Sequence, residues 1–278
     1  PTDEMFKRDL ELNKEMGYNG MRLHQIVADP RMLYWADKLG VIVWGEISNA
    51  FGSDARAKDN HLKEWSEIVR RDRCHPSITM WTPLNESWGT GPLNREDNQQ
   101  WLRSVYYWTK SMDPTRPVNT NDGWENPDIA DIISIHHYCF AKDIAEQYPK
   151  EEPEDYAEFF DGFKPSRYTI IPGLKTSKKP VMITEWGGWG MYFDEPEREP
   201  NPREAWGYQG ILYKTFDEVL DLYDEFVEEL VKRKSWICGH CYTEFNDQYQ
   251  EVNGMLTFDR RPKGDLRKLK AINDKLHY

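Results

Sequence analysis

Trp81-Thr82-Pro83-Leu84-Asn85-Glu86-Ser87-Trp88 and Pro180-Val181-Met182-Ile183-Thr184-Glu185-Trp186-Gly187-Gly188 are two apolar, β-type runs, each ending in a glutamate beside tryptophan. A glycosidic bond is broken by two carboxyl groups in different protonation states, and a strand end among aromatic rings is a place where a glutamate can be tuned. An isolated glutamate is most often an ordinary surface carboxylate. Two that close apolar strands next to tryptophan point together to sugar chemistry, with Glu86 and Glu185 as the candidate catalytic pair.

Outward from these runs, helical and strand patterns alternate. Thr2 is placed to cap a helix over residues 3–16 that Gly17 ends, and a short strand follows at Gly20-Met21-Arg22-Leu23-His24-Gln25. Asp29-Pro30 opens a second helix, stopped by Gly40 before the run from Val41 that ends at Glu46. Helices near 59–73 and 95–112 lead into strands at Ser77–Trp81 and Pro117–Asp122. Strands then follow from Asp131 to Tyr138, from Val181, and from Trp236 to Thr243, with a long helix expected near 207–233 and a last one from about Gly264 to Leu276.

Seven apolar strands separated by helices predict a parallel sheet covered on both faces. Their polar residues gather at the C-terminal ends: Arg22, His24, Glu46, Asn85, Glu86, Asp122, His136, Tyr138, Glu185, Glu244 and Asp247. In an α/β fold of the (β/α)8 TIM-barrel kind those ends form one rim around the active site. A doubly wound sheet is the alternative, and it ranks second because no Gly-rich phosphate turn is present and the polar residues are spread over all the strands.

The 278-residue chain contains no linker, repeat or low-complexity tract, so it reads as one domain, 1–278. Its net charge of -12 disfavours nucleic acid, which needs clustered Lys and Arg. No apolar run is long enough to cross a bilayer, and Pro1-Thr2-Asp3-Glu4 has no signal-peptide character, which leaves cytoplasmic, periplasmic and secreted locations open. Twelve tryptophans in so polar a chain are a mild pointer to sugar platforms, Trp88 and Trp186 being nearest the two glutamates. Cys238-Gly239-His240-Cys241 resembles a disulfide-isomerase motif, but that chemistry needs the first cysteine at a helix N-terminus, and the flanks here read as strand. Zinc lacks a second ligand pair.

Four segments carry a more specific likeness: Met21 to Asn49; His75-Pro76-Ser77-Ile78 leading to Asn85-Glu86-Ser87-Trp88; Thr184-Glu185-Trp186; and Val252-Asn253-Gly254 to Arg261-Pro262-Lys263. Together the chain resembles glycoside hydrolase family 2, the family of β-galactosidases, β-glucuronidases and β-mannosidases. The resemblance implies a retaining exo-β-glycosidase with Glu86 as acid/base and Glu185 as nucleophile. It further implies that Asn85 holds the sugar 2-hydroxyl, that Tyr138 steadies the nucleophile, and that Arg22 and His24 line the sugar site. Of His136 and His137, one is expected to face the sugar and the other to pack behind the sheet. Family barrels begin with a strand ahead of the first helix, after β-sandwich domains. The first barrel strand is therefore expected to be missing, and the chain to be a fragment of a longer protein whose oligomerisation, if any, belongs to the parent. Glu46-Ile47-Ser48-Asn49 lacks the magnesium ligands of some relatives, so no metal or cofactor is expected. The acidic Glu251, where glucuronidases place an Asn-x-Lys motif, favours a galactosidase-like sugar over a uronate. Rival readings are a carbohydrate-binding barrel without catalysis and a thiol oxidoreductase using Cys238 and Cys241.

Overall fold

The computed structural model describes residues 1–195 and 197–276. Two compact units can be distinguished: Pro1–Glu11, Asn19–His136 and Pro153–Met182 form the first, and Leu12–Tyr18, His137–Glu152 and Ile183–Tyr278 the second.

Helix α1 (Asp3–Glu15) starts in the first unit, where the Thr2 hydroxyl accepts the Met5 N–H, and its last residues, from Leu12, belong to the second; strand β1 (Gly20–Arg22) lies in the first. Helix α2 (Pro30–Leu39) is capped by the Asp29 side chain and ends at left-handed Gly40, as its Asp-Pro and Gly signals predict. Strand β2 (Ile42–Glu46), helix α3 (Ala55–Asp72), strand β3 (Ile78–Thr82), helix α4 (Glu96–Met112) and strand β4 (Ile133–His136) complete the alternation. Strands β1, β2 and β3 pair in parallel, with Arg22 beside Trp44 and Glu46 beside Thr82. Beyond β3 the sheet continues through parallel bridges, Trp81 to Val118 and Asn85 to Asp122, and the His136 N–H then donates to the Gly123 carbonyl. Spatial order thus follows chain order with no reversal. A doubly wound sheet would reverse direction at a switch point.

The core of this unit is packed by Leu33, Ala36, Val43, Trp65, Val69, Ile78, Trp81, Val105 and Val118. Trp65 meets Trp81 edge-on at 5.6 Å, and each indole N–H is satisfied, by Thr109 and Asp113 respectively. Gly45 is required here, because a Cβ would lie 2.3 Å from the Trp81 ring.

The second unit contains helix α5 (Ala141–Gln147), and helix α6 (Tyr156–Phe159) follows back in the first. Strand β5 (Val181–Gly187) leads into the second unit's short paired strands β6 (Gly190–Met191) and β7 (Leu212–Tyr213), helix α7 (Phe216–Val231), strand β8 (Ile237–Thr243) and helix α8 (Leu266–Asn273). Strand β8 lies beside β5.

Three expectations need adjustment. The helix expected from 207 begins only at Phe216, where Thr215 and Glu218 form a reciprocal capping box, and the stretch before it turns at left-handed Gly210. Residues 117–122 bridge β3 at Val118 and the segment after it at Asp122, opposite Asn85, while Asn119 and Asn121 spend their side chains on neighbouring polar groups. The last helix is shorter than expected, α8 passing into a 3-10 turn at Asp274–Leu276. Cys238 and Cys241 lie within β8, so the helix N-terminus that a redox pair needs is absent at this place.

Candidate active site

In the first unit, β3 delivers Asn85 and Glu86 into a turn in which Glu86 and Ser87 both take left-handed φ, 55° and 60°. Such angles cost a non-glycine residue energy and persist only where neighbours impose them. Here the Glu86 N–H donates to the Asp122 carbonyl at 2.9 Å, the Ser87 N–H to Asn121 Oδ1 at 2.9 Å, and the Ser87 hydroxyl to Glu125 at 2.7 Å. Asn49 clamps the turn from β2, accepting the Asn85 N–H and donating to its carbonyl.

Glu86 is aimed by two rings. His136 Nδ1 lies 2.7 Å from Oε1, and the Trp88 indole N–H donates to Oε2 at 3.1 Å. His136 Nε2 lies 3.0 Å from Asp122 Oδ2, and the Asp122 carboxylate in turn meets Arg22 Nη1 at 2.6 Å. Arg22 forks onto Glu46 at 2.8 and 2.9 Å and donates to Asn85 Oδ1 at 2.8 Å. Gly123 makes room for this array, since a Cβ there would fall 2.4 Å from the His136 ring.

The second unit carries the other glutamate. The Tyr138 hydroxyl donates to Glu185 Oε2 at 2.6 Å and lies 3.3 Å from the Thr243 hydroxyl. Tyr208 stacks flat on Tyr138, with centroids 3.6 Å apart. Burial first, then the Glu185 charge, holds the Tyr138 phenol well above its usual range, which keeps it a donor. Glu185 itself is only 8% exposed.

Of the residues expected to bind sugar, the structure places Arg22, Asn85 and His136 in the Glu86 cluster and Tyr138 on Glu185. His24 is largely exposed beside Arg22, and Trp88 is 55% exposed, as a platform requires. Four assignments are corrected. Trp186 is wholly buried and stacked on Phe226 at 4.0 Å, with its N–H on His240, so it belongs to the core. Glu46 and Asp122 have no side-chain exposure, both oxygens of Glu46 and the Oδ2 of Asp122 being engaged by Arg22, so they brace Arg22 and His136. Asp247 is taken by Lys263 at 2.7 Å and by the Gly254 N–H at 3.0 Å, which makes it a brace for the 254 turn. Replacing Trp186 with Ala is expected to cost about 3–5 kcal/mol of stability in a denaturant melt, the range for emptying a buried aromatic site. A loss of sugar affinity at unchanged stability would restore its platform role.

Sequence reasoning missed Thr243, Tyr208, Asn121 and Glu125, whose roles depend on partners distant in the chain. His137, left open as one of a pair, is buried with Nδ1 3.1 Å from the Tyr148 hydroxyl, and burial lowers it to about 4.

Glu244, next after Thr243, is a strongly perturbed acid. Burial, the Glu251 and Asp247 charges and then Glu185 push it up to about 9, and its Oε1 has no hydrogen-bond partner among the described residues. Burial raises Asp247 to about 6 and raises Glu251 as well. The folded chain therefore keeps a proton on Glu244 that the unfolded chain releases near 4.5. That contribution to stability is complete below the unfolded value and is lost as pH rises toward about 9. Glu244→Gln is accordingly expected to raise the melting temperature at pH 8 while leaving it unchanged at pH 4. Equal shifts at both values would mean that the carboxyl is not held protonated by folding.

Among the described residues no helix is long and apolar enough to cross a membrane. The family model for glycosyl hydrolases family 2, TIM barrel domain, matches residues 2–278. A β-galactosidase of Vibrio vulnificus is 30% identical over 97% of this chain and 25% of its own length. A β-glucuronidase of Chlorocebus aethiops is 24% identical over 92% of the chain and 38% of its own. The chain thus spans about a quarter to two-fifths of the length of these curated relatives. Among solved structures, a Bifidobacterium dentium β-glucuronidase complexed with coumarin-3-O-glucuronide superposes with a TM-score of 0.69 at 20% identity, covering 99% of this chain and 44% of that one. A match that runs from residue 2 to residue 278 is decisive: the chain belongs to glycosyl hydrolases family 2, as a TIM barrel domain.

Proposed function

We propose that residues 1–278 act as one catalytic domain of a retaining exo-β-glycosidase that releases a neutral, galactose-like sugar from non-reducing ends. The observation that carries the reading is the Tyr138 hydroxyl 2.6 Å from Glu185, which holds one oxygen of a buried carboxylate at a strand end and leaves the group oriented for attack. Glu185 attacks the anomeric carbon while Glu86 protonates the departing oxygen. Glu86, now a carboxylate, then takes a proton from water as that water displaces Glu185. Arg22 fixes Asn85 for the sugar hydroxyl next to the reacting carbon, and Trp88 offers a flat face to the leaving group.

The acids of the second unit support a neutral sugar. Burial raises both Glu244 and Glu251, the Glu251 charge raises Glu244 further, and both feel the Glu185 charge. A uronate would add a negative charge near the Glu185 carboxylate, among acids that already resist ionising, and the two charges would repel. Similarity to a Vibrio vulnificus β-galactosidase points the same way, while the glucuronidases among the solved structures speak for fold alone. The test is a panel of aryl β-galactoside, glucoside, mannoside and glucuronide, with the first-formed anomer followed by proton NMR. Turnover of a neutral glycoside with the β-anomer appearing first is expected. Preference for the glucuronide would overturn the sugar assignment, an α-anomer the mechanism, and binding without turnover the enzymatic reading.

A further inference from the structure

We propose that His136 is a positioning residue that shares one proton with Glu86 and so keeps the acid loaded near neutral pH, its ring set by Asp122. The inference rests on Glu86 being the general acid. Its basis is a line of three groups within the first unit: Glu86 Oε1, 2.7 Å to His136 Nδ1, and His136 Nε2, 3.0 Å to Asp122 Oδ2. The ring is 1% exposed, and the Asp122 side chain is fully buried.

Hydrogen-bond accounting restricts what this line can hold. A neutral imidazole has one donor and one acceptor nitrogen, and ionised carboxylates only accept. Asp122 is ionised, because Arg22 Nη1 sits 2.6 Å from it, so Nε2 must carry a hydrogen and donate to it. Nδ1 then faces Glu86 in one of two ways. Either Glu86 is protonated and its O–H donates to Nδ1, or the proton has moved to Nδ1 and an imidazolium bridges two carboxylates. Both states contain the same number of protons. Glu86 and His136 therefore hold one proton between them, in a hydrogen bond of 2.7 Å.

Other charged groups face this line within the first unit. Arg22 neutralises Asp122 and is itself neutralised by Glu46, with His24 beside the guanidinium. Trp124 meets the ring edge-on at 5.8 Å, under Arg167 at 4.9 Å. When the glycosidic bond breaks, its electron pair stays on the leaving oxygen, which takes the proton of the pair. Glu86 is left as a carboxylate and His136 as a neutral ring that still donates through Nε2. The attacking water later returns one proton to the pair as its oxygen bonds to the anomeric carbon.

The test is the pH profile of kcat/KM for His136→Gln and Asp122→Asn, with an alkyl glycoside and with a 2,4-dinitrophenyl glycoside. For the alkyl glycoside the upper limb is expected to move toward acid by about one pH unit or more, which is a fall of about tenfold at pH values above the limb. The dinitrophenyl glycoside needs no acid and should change little. Equal losses on both substrates with unmoved limbs would overturn the proposal. Because both residues are buried, a second measurement uses the unmodified fold: nitrogen NMR of 15N-histidine protein, with the His136 signals identified by their response to Glu86→Gln. A ring that holds its second proton beyond the range of an ordinary histidine, and loses that behaviour in Glu86→Gln, is expected. A ring that titrates as an ordinary histidine and ignores Glu86→Gln would overturn it. If Glu86→Ala lacks any leaving-group dependence, the acid assignment itself fails; if that dependence is present and the His136 results are negative, only this proposal fails.

Discussion

Glu185→Gln is expected to abolish turnover of every glycoside, activated or not, while the domain stays folded. The amide keeps the shape of the carboxyl and accepts the Tyr138 hydrogen bond, which lies 2.6 Å from one oxygen in the native chain, but it is too poor a nucleophile to bond to the anomeric carbon. A fall on the order of 10⁶-fold is expected, the cost of deleting the attacking group in a covalent hydrolase. Leaving-group quality should not rescue it, since the first bond to form is the missing one. Steady-state kinetics on a dinitrophenyl and an alkyl glycoside measure both points, with a melt to verify the fold. A small loss confined to one substrate would contradict the role.

Glu86→Ala is expected to produce the complementary pattern. General acid catalysis contributes about 10²–10⁴-fold, and only where the departing oxygen needs a proton. The alkyl glycoside is expected to lose that factor, whereas the dinitrophenyl glycoside forms its glycosyl-enzyme almost normally and stalls at hydrolysis, which lacks its base. Added azide, which needs no base, should restore turnover and yield a glycosyl azide. The fold is expected to tolerate the change, because the side chain is partly exposed and the left-handed turn is held by backbone bonds and by Ser87, Asn121 and Glu125. A uniform loss on both substrates, without azide rescue, would remove Glu86 from proton transfer.

Glu86 and Glu185 stand out in the sequence because each follows an apolar run, and the helix starts at Thr2 and Asp29 were legible from local capping chemistry. Side-chain direction was the harder part. Glu185 and Trp186 are neighbours on a strand, so they point to opposite faces, and a tryptophan that looks adjacent to the reacting carboxyl belongs instead to the Phe226 stack. The same alternation separates His136, on Glu86, from His137, on Tyr148. Glu46, Asp122 and Asp247 read as rim acids open to sugar, yet each is engaged by a cation, Arg22 or Lys263, that lies elsewhere in the chain. No local pattern distinguishes an acid bonded to a buried cation from one that faces a ligand. The nine residues before α7 carry apolar spacing compatible with helix, but Gly207, Gly210 and the capping box at Thr215 decide the start.

Intact mass and peptide mapping after incubation with a 2-deoxy-2-fluoro-β-galactoside carrying a dinitrophenyl leaving group test the central claim most directly. The fluorine slows both formation and hydrolysis of the glycosyl-enzyme, and the dinitrophenyl leaving group restores formation, so a retaining enzyme accumulates the covalent species. The account predicts one added fluorosugar per chain, in the peptide that contains Glu185 and on that residue. An adduct on another carboxylate, or none from a preparation that turns over the parent galactoside, would contradict it.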